Sequence, residues 1–196
     1  MMKHYEKELP TGYREAFAVD ATEKKLAIGM NVAAGIVMAV LIVAAYLLIR
    51  PTMLKEKLSI SRTLIFLGAM FLYMVLHELV HGAAYKLLTG QKLTFGVTLS
   101  VAYCGVPDIY VYRKASMISL LAPFCVFTVV FGAALAMFSN PWDKMYTAIL
   151  LAVHIGGCVG DLYDTWLYLT RFTDSRTLMR DTGPKQTFYV PEDAKC

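Results

Sequence analysis

Four long apolar stretches constrain this chain more than any other feature of its sequence. They run over approximately Leu26–Ile49, Thr63–Leu88, Ser116–Phe138 and Met145–Thr170. Each can cross a hydrocarbon core, which takes about 20 helical residues. The composition agrees, since 57% of the residues are hydrophobic and the mean hydropathy is +0.51. The sequence therefore predicts an all-α membrane protein whose core, residues 26–170, contains about four transmembrane helices.

The distribution of basic residues predicts the orientation of these spans. With four spans, residues 1–25, 86–115 and 171–196 share one side of the membrane and hold 14 of the 19 lysines and arginines. The positive-inside rule places that side in the cytoplasm. We therefore expect a multi-pass plasma-membrane protein with both termini cytoplasmic.

The two end segments carry separate expectations. Residues 1–25 would form an amphipathic surface helix or be disordered, and residues 171–196 would form a loosely ordered tail. Acidic residues are interspersed among the basic ones, so we expect no nucleic-acid binding.

The second apolar stretch contains the motif His77-Glu78-Leu79-Val80-His81. Residues four apart stack on one face of a helix, so both imidazoles can reach one metal ion. Glu78 can then serve as the general base for a water at that metal. Ionisable side chains inside a membrane segment are functional by default. The alternative is a histidine pair that caps a helix near the interface, with Glu78 paired to Lys86 or to another helix.

A catalytic zinc commonly takes three protein ligands, so a third must come from elsewhere in the chain. Ala84 and Leu87 stand where an extended His-x-x-Gly-x-x-His motif would have its Gly and its last His. After the motif, the next Glu is Glu192. Among the Asp residues that follow the motif, only Asp161 and Asp164 fall inside a predicted span.

We expect Asp161 to be the third ligand. It comes at a depth in the fourth span similar to that of the two histidines in the second span, and both spans run in the same direction. The glycines around Asp161 would let the two helices approach closely. Asp164, one turn later, and His154, two turns earlier, remain alternatives on spacing alone. We expect Asp164 to support a histidine ligand or to be solvated, and His154 to make a polar contact between helices.

The segment between the second and third spans alternates apolar and polar residues. Its apolar members are Leu93, Phe95, Val97, Leu99, Val101 and Tyr103. This alternation predicts a strand, and the turn residues Gly105–Asp108 would let 109–112 return as a second strand. We therefore expect a short β-hairpin or a re-entrant segment here, with an interfacial loop as the alternative. A hairpin beside the motif would offer its edge to an extended substrate.

These features together resemble known membrane proteins. The HExxH motif, a later membrane Asp and four compact spans resemble the core of site-2-type intramembrane metalloproteases. The chain more closely resembles the small bacterial membrane proteins known as putative zincin peptidases, over about Leu64–Tyr189. The shared features are the motif at 77–81, Pro123, Gly160-Asp161 and the tail Asp174–Gly183.

The sequence thus predicts an intramembrane zinc metalloprotease that hydrolyses peptide bonds of membrane proteins or peptides. His77, His81 and Asp161 would hold Zn²⁺, and Glu78 would be the general base. One alternative is a non-proteolytic zinc-binding regulator or immunity-type protein, although a structural zinc site has no use for Glu78. Another is a transporter, although four spans without an internal repeat are few for that role. The sequence names neither the substrate nor the oligomeric state.

Overall fold

The computed structural model describes residues 3–53, 55–98 and 102–194, apart from the side chains of residues 51 and 53. The helices within these residues are α1 Lys24–Met53, α2 Ile60–Thr89, α3 Arg113–Met137, α4 Pro141–Gly157 and α5 Val159–Thr170. The strands are β1 Tyr5–Glu6, β2 Tyr13–Asp20, β3 Thr94–Val97, β4 Ala102–Gly105, β5 Tyr110–Tyr112, β6 Leu178–Asp181 and β7 Lys185–Pro191. The protein is mostly helical, but it also contains a small antiparallel sheet, so the expectation of an all-α fold is wrong in that respect.

Three of the described helices, α1, α2 and α3, are long and apolar enough to cross a membrane. In α1, none of the most apolar 18-residue window is buried inside the protein (0%). The helices α4 and α5 pass the same test when they are counted together as one bent span. Apolar helices with so little burial need lipid around them. The described helices therefore provide three or four candidate membrane spans, which indicates association with a membrane.

The fourth apolar stretch is interrupted rather than continuous. Helix α4 ends at Gly157 and α5 begins at Val159. Glycine is a poor helix former, and Gly156, Gly157 and Gly160 surround this break. Asp161 consequently lies in the first turn of a new helix. A carboxylate is favoured there, because the N-terminal end of a helix carries a partial positive charge.

The chain divides into two compact units. The first comprises residues 1–29, 77–123 and 161–196, and the second comprises 30–76 and 124–160. All the described strands belong to the first unit. Five of them form an antiparallel sheet in the order β1-β5-β6-β7-β2.

Both polar end segments of the chain take part in this sheet. Strand β2 pairs with β7 from Tyr13↔Pro191 to Asp20↔Lys185, with a bulge between Glu15 and Phe17. Strand β6 joins β7 to β5. The expectations of an N-terminal amphipathic helix or disordered lead, and of a loosely ordered C-terminal tail, are therefore wrong. The N-terminal strand β2 has its pairing partner in the C-terminal strand β7. The sequence of either segment alone does not indicate this pairing.

A hairpin does lie between α2 and α3, but its strands differ from the expected ones. Strands β3 and β4 pair from Thr94↔Gly105 to Val97↔Ala102. The alternating segment predicted as one strand thus supplies β3 and the first two residues of β4, and Gly105, predicted in a turn, ends β4. Residues 99–101 of that segment lie outside the described residues. Strand β5, expected to complete the hairpin, instead pairs with β1 and β6 of the larger sheet.

The interior of the first unit holds the hairpin against α2. Its buried cluster consists of Tyr85, Val106, Ile109, Val111 and Ala115. Near this cluster, a Cβ at Gly82 would lie 2.8 Å from Cζ of Phe95 and 3.3 Å from Sγ of Cys104. Glycine at this position therefore allows the hairpin to lie directly against α2, beside His81.

The second unit contains apolar parts of the helices around a single buried histidine. His154 is fully buried on α4. The hydroxyl of Tyr73 lies 3.0 Å from its Nδ1, and its Nε2 donates to the carbonyl of Phe124 at 3.2 Å. The rings of Phe127 and Phe131 pack at 5.9 and 6.0 Å from the imidazole. His154 thus makes polar contacts between helices, as expected from the sequence.

Candidate metal centre

Helix α2 presents two histidines to one place. His77 and His81 are one turn apart, so their side chains lie on the same face of the helix. Both are buried, at 8% and 7% exposure. Their ring centroids are 5.0 Å apart and the ring planes are inclined by 72°. The two imidazoles are therefore neighbours that can face a common ligand without stacking on each other.

Asp161 meets these histidines from the first turn of α5. Its Oδ2 lies 3.4 Å from Nε2 of His81 and 3.7 Å from Nε2 of His77. One ligand atom from each of the three residues lies within 4.8 Å of the other two. The structure therefore brings together the three residues that sequence reasoning selected as metal ligands.

The separations between these atoms suit shared coordination of a metal. Two ligands that each lie about 2.0–2.1 Å from a tetrahedral zinc are about 3.3 Å apart. A direct hydrogen bond between an imidazolium and a carboxylate is shorter, about 2.7–2.9 Å. Two imidazoles and one carboxylate are also a donor set that catalytic zinc sites use. The residues present fit a zinc ion.

The orientation of His81 is set by a backbone carbonyl. Its Nδ1 donates to the carbonyl of Ser119 on α3 at 2.8 Å. With the proton on Nδ1, the neutral ring has its lone pair on Nε2, the atom nearest Asp161. A hydrogen bond of this kind commonly fixes the tautomer and the ring plane of a histidine that binds a metal.

Glu78 lies beside the histidines and is held by the hairpin. Its side chain is half-buried, and its carboxylate accepts a hydrogen bond from the backbone N–H of Cys104 in β4. Successive helical residues point about 100° apart, so Glu78 flanks the two histidines instead of sharing their face. The carboxylate is thus kept next to the donor cluster without belonging to it.

The thiol of Cys104 does not supply a donor to the cluster of His77, His81 and Asp161. Burial raises the pKa of this thiol to about 12, and the carboxylates of Asp181 and Glu78 contribute to the rise. The thiol therefore stays protonated at neutral pH. Cys104 contributes its backbone N–H to Glu78 and packs its sulfur against α2.

Asp164 occupies a different position from Asp161. It lies one turn further along α5, is 3% exposed, and does not join the His77–His81–Asp161 cluster. Its Oδ1 has no hydrogen-bond partner within the described part of the chain. The geometry therefore favours Asp161 over Asp164 as the residue that completes the donor set.

Sequence reasoning did not identify the residues that support this site. Ser119 contributes only its backbone carbonyl, which every residue type carries, so no sequence signal marks it. Tyr85 follows His81 by one turn on the same face of α2, and its hydroxyl donates to Asp181 at 2.8 Å. That spacing was visible in the sequence, but the acceptor lies 96 residues later.

Comparison with known proteins supports the same chemistry. Residues 70–175, more than half of the chain, match the model of a family described as "Putative zincin peptidase". This segment includes His77, Glu78, His81 and Asp161. No curated protein and no solved structure matches the chain.

Proposed function

Since the chain belongs to this family of zincin peptidases, we propose that it is an intramembrane zinc metalloprotease of the site-2 type. It would hydrolyse peptide bonds of membrane proteins or membrane-associated peptides. One observation carries the proposal: one ligand atom from each of His77, His81 and Asp161 lies within 4.8 Å of the other two. Two of these ligands stand on a helix long and apolar enough to cross a membrane.

In this proposal, His77, His81 and Asp161 hold Zn²⁺. The bound ion supplies a Lewis acid that activates water and polarises the carbonyl to be attacked. The Ser119 carbonyl keeps Nε2 of His81 directed at the site. Asp161 contributes a negative charge, and its side chain is 20% exposed.

Glu78 would carry the proton transfers. Its carboxylate accepts a proton from the attacking water and later delivers it to the nitrogen of the leaving amine, as a general base and then a general acid. The backbone N–H of Cys104 orients the carboxylate for both steps. A zinc-binding regulator without proteolysis would not require a carboxylate in this position.

The hairpin β3–β4 gives the substrate a place to bind. A residue on a strand directs its N–H and C=O to the same edge, and the N–H of Cys104 points to Glu78 rather than to β3. The edge of β4 that faces away from β3 therefore borders the site. The N–H groups of Cys104 and Val106 on this edge are bonded to Glu78 and Asp181, so an extended substrate segment would donate its own N–H groups to the carbonyls of the edge and present its backbone to the donor cluster.

Four membrane crossings, with both termini in the cytoplasm, fit the fold best. Strands β2 and β7 are far apart in the sequence and pair directly, which supports a location of both termini on one side of a membrane. An even number of crossings satisfies this condition, with α4 and α5 together as the fourth. Lys and Arg are in excess in residues 1–25, 86–115 and 171–196, which supports a cytoplasmic location of these segments. The proposed membrane is the plasma membrane.

Zinc content tests the proposal most directly. Elemental analysis of detergent-purified protein should give one zinc per chain, and His77→Ala and Asp161→Asn should lose it. Asp164→Asn is the matched control, because it removes a buried carboxylate from the same helix, and it should retain zinc. Loss of zinc from Asp164→Asn alone would move the third ligand by one turn, and no zinc in any form would end the metalloprotease proposal.

A further inference from the structure

The C-terminal hairpin turn contains a buried carboxylate that the proposed chemistry does not use. Asp181 ends β6, is 3% exposed, and belongs to the same compact unit as the donor cluster. Its Oδ1 accepts from the backbone N–H of Gly183 at 2.9 Å and from Nε2 of Gln186 at 3.2 Å. These two bonds leave Oδ2 directed away from the turn.

That second oxygen binds the helix of the HExxH motif. The hydroxyl of Tyr85 donates to Oδ2 of Asp181 at 2.8 Å, and the tyrosine side chain is 1% exposed. Tyr85 follows His81 by four residues and Glu78 by seven, so it points from α2 in a direction between those two side chains. The bond therefore ties the motif helix to the turn between β6 and β7.

The same turn also holds the strand that contacts Glu78. The carbonyl of Asp181 accepts from the N–H of Val106 at 2.9 Å. A Cβ at Gly105 would lie 2.5 Å from the backbone nitrogen of Gly183, and a Cβ at Gly183 would overlap the ring of Tyr103. The backbone on both sides of Cys104 is thus packed against this turn.

We infer that Asp181, through Tyr85, is a positioning residue that sets the register between the motif helix and strand β4, and so holds Glu78 against the N–H of Cys104. This inference rests on the proposed function and extends it to a residue outside the metal cluster. Asp181 would touch neither substrate nor metal. Its role would be to keep α2, which carries Glu78, at a constant distance from β4, which supplies the N–H of Cys104.

Hydrogen–deuterium exchange at the Cys104 amide tests the inference without a substrate. The full-length protein in detergent is compared with Tyr85→Phe, which removes only the hydroxyl, and with Asp181→Asn. In both variants we expect exchange at Cys104 to become about five- to tenfold faster, as for the loss of one buried hydrogen bond. Glu78→Ala, which leaves no acceptor at this position, gives the reference rate for an amide that has lost its side-chain partner.

Matched controls separate this role from general loosening. Tyr189→Phe and Asp174→Asn change the same residue types elsewhere in the sheet unit and should leave the Cys104 amide unchanged. Exchange in β2 should stay the same in all variants. An unchanged Cys104 amide in both Tyr85→Phe and Asp181→Asn would overturn the inference. Faster exchange throughout the sheet, accompanied by loss of zinc, would overturn it in favour of a purely structural role.

Kinetics on fluorescein-labelled casein give the second readout. Tyr85→Phe and Asp181→Asn should each lower kcat by about tenfold or more without raising KM, because a misplaced base slows the chemical step. The double variant should lose no more than either single variant, since both break the same contact. A wild-type protein that fails to cut casein counts against the proposed function, whereas the exchange experiment still decides the role of Asp181.

Discussion

At the residue scale, the important side chains of this protein use one polar atom for orientation and another for chemistry or anchoring. His81 gives Nδ1 to the Ser119 carbonyl and directs Nε2 at Asp161. Asp181 gives Oδ1 to its own turn and Oδ2 to Tyr85. A group fixed at one end loses less conformational freedom when its other end binds. The orientation of the donor cluster is therefore set in part by contacts with groups outside it.

The role of Glu78 makes the sharpest prediction at this scale. Glu78→Gln keeps the size of the side chain and an acceptor oxygen but cannot accept the proton from water. We expect proteolysis to fall by about 10²- to 10⁴-fold, the usual contribution of a general base, while zinc stays at one per chain. Glu15→Gln, an exposed glutamate on β2, is the control and should be fully active. Retained proteolysis in zinc-loaded Glu78→Gln would make the mechanism wrong.

The raised pKa of the buried Asp181 carboxyl predicts that the stability of the protein depends on pH. Burial raises the pKa of its carboxyl from 3.8 to about 6, although the N–H of Gly183 and the hydroxyl of Tyr85 oppose this. The folded protein therefore holds a proton that the unfolded chain has released between about pH 4 and pH 6. The stabilisation from this carboxyl is complete below pH 3.8 and is lost as the pH rises through 6. Its full size is roughly 3 kcal/mol, because a tenfold change in proton affinity corresponds to about 1.4 kcal/mol.

Thermal unfolding at several pH values checks this sign. Between pH 4 and pH 7, Asp181→Asn should remove the part of the pH dependence that lowers the stability of the wild type as the pH rises. Asp174 is the control with the opposite sign, because its hydrogen bonds to Arg176 lower the pKa of its carboxyl. Asp174→Asn should remove a small stabilisation that is present above pH 3.8 and lost in acid. Parallel curves for wild type and Asp181→Asn would contradict the assignment.

At the scale of elements, the three long helices α1, α2 and α3 were predictable from the sequence, whereas the break between α4 and α5 and most of the sheet were not. Helix α2 was expected at Thr63–Leu88 and runs over Ile60–Thr89, because a lipid-facing helix needs only hydrophobic length to be recognised. Strand β6 has four residues, Leu178–Asp181, and its stability comes from β5 and β7. Such short strands carry too little pattern to be recognised before their partners are known.

The donor cluster was predictable for a related reason. The histidines are fixed by helical spacing, and elimination of the other acids left few choices for the third position. The supporting contacts were not predictable, since the Ser119 carbonyl and the Cys104 N–H are backbone groups that no residue type marks. Backbone contacts between elements require the fold itself.

The turn between β6 and β7 makes a prediction about glycine. Gly183 has φ +97°, and a Cβ there would also overlap the Tyr103 ring. Gly90, at the end of α2, has φ +68°, and a Cβ there would meet no atom within 4 Å. Alanine at Gly90 should cost about 1 kcal/mol for the left-handed backbone alone. Alanine at Gly183 should cost about 1–3 kcal/mol more because of overpacking.

Thermal denaturation in one detergent compares the two variants. We expect Gly183→Ala to have the lower melting temperature, and Gly90→Ala to lie between it and the wild type. Equal melting temperatures would mean that the Tyr103 ring moves aside at little energetic expense. In that case the turn would not hold β4 as tightly as the packing of Gly105 and Gly183 indicates.

At the scale of the whole molecule, the sheet joins segments that are far apart in the chain. Strand β2 near the N-terminus, β5 between α2 and α3, and β7 near the C-terminus all belong to it. We therefore predict that all three segments lie on the same side of a membrane. The same unit contains the donor cluster.

This arrangement predicts the membrane topology independently of the charge distribution. Pairing of β2 with β7 predicts both termini on one side, and the excess of basic residues there predicts that this side is the cytoplasm. Fusions of green fluorescent protein, which fluoresces in the cytoplasm, and of alkaline phosphatase, which is active outside it, should report cytoplasmic location at both ends. Active phosphatase at both ends would agree with the sheet and with four crossings, but it would mean that both termini lie outside the cytoplasm. Opposite reports from the two ends would contradict the sheet itself, because β2 and β7 could not then pair within one chain.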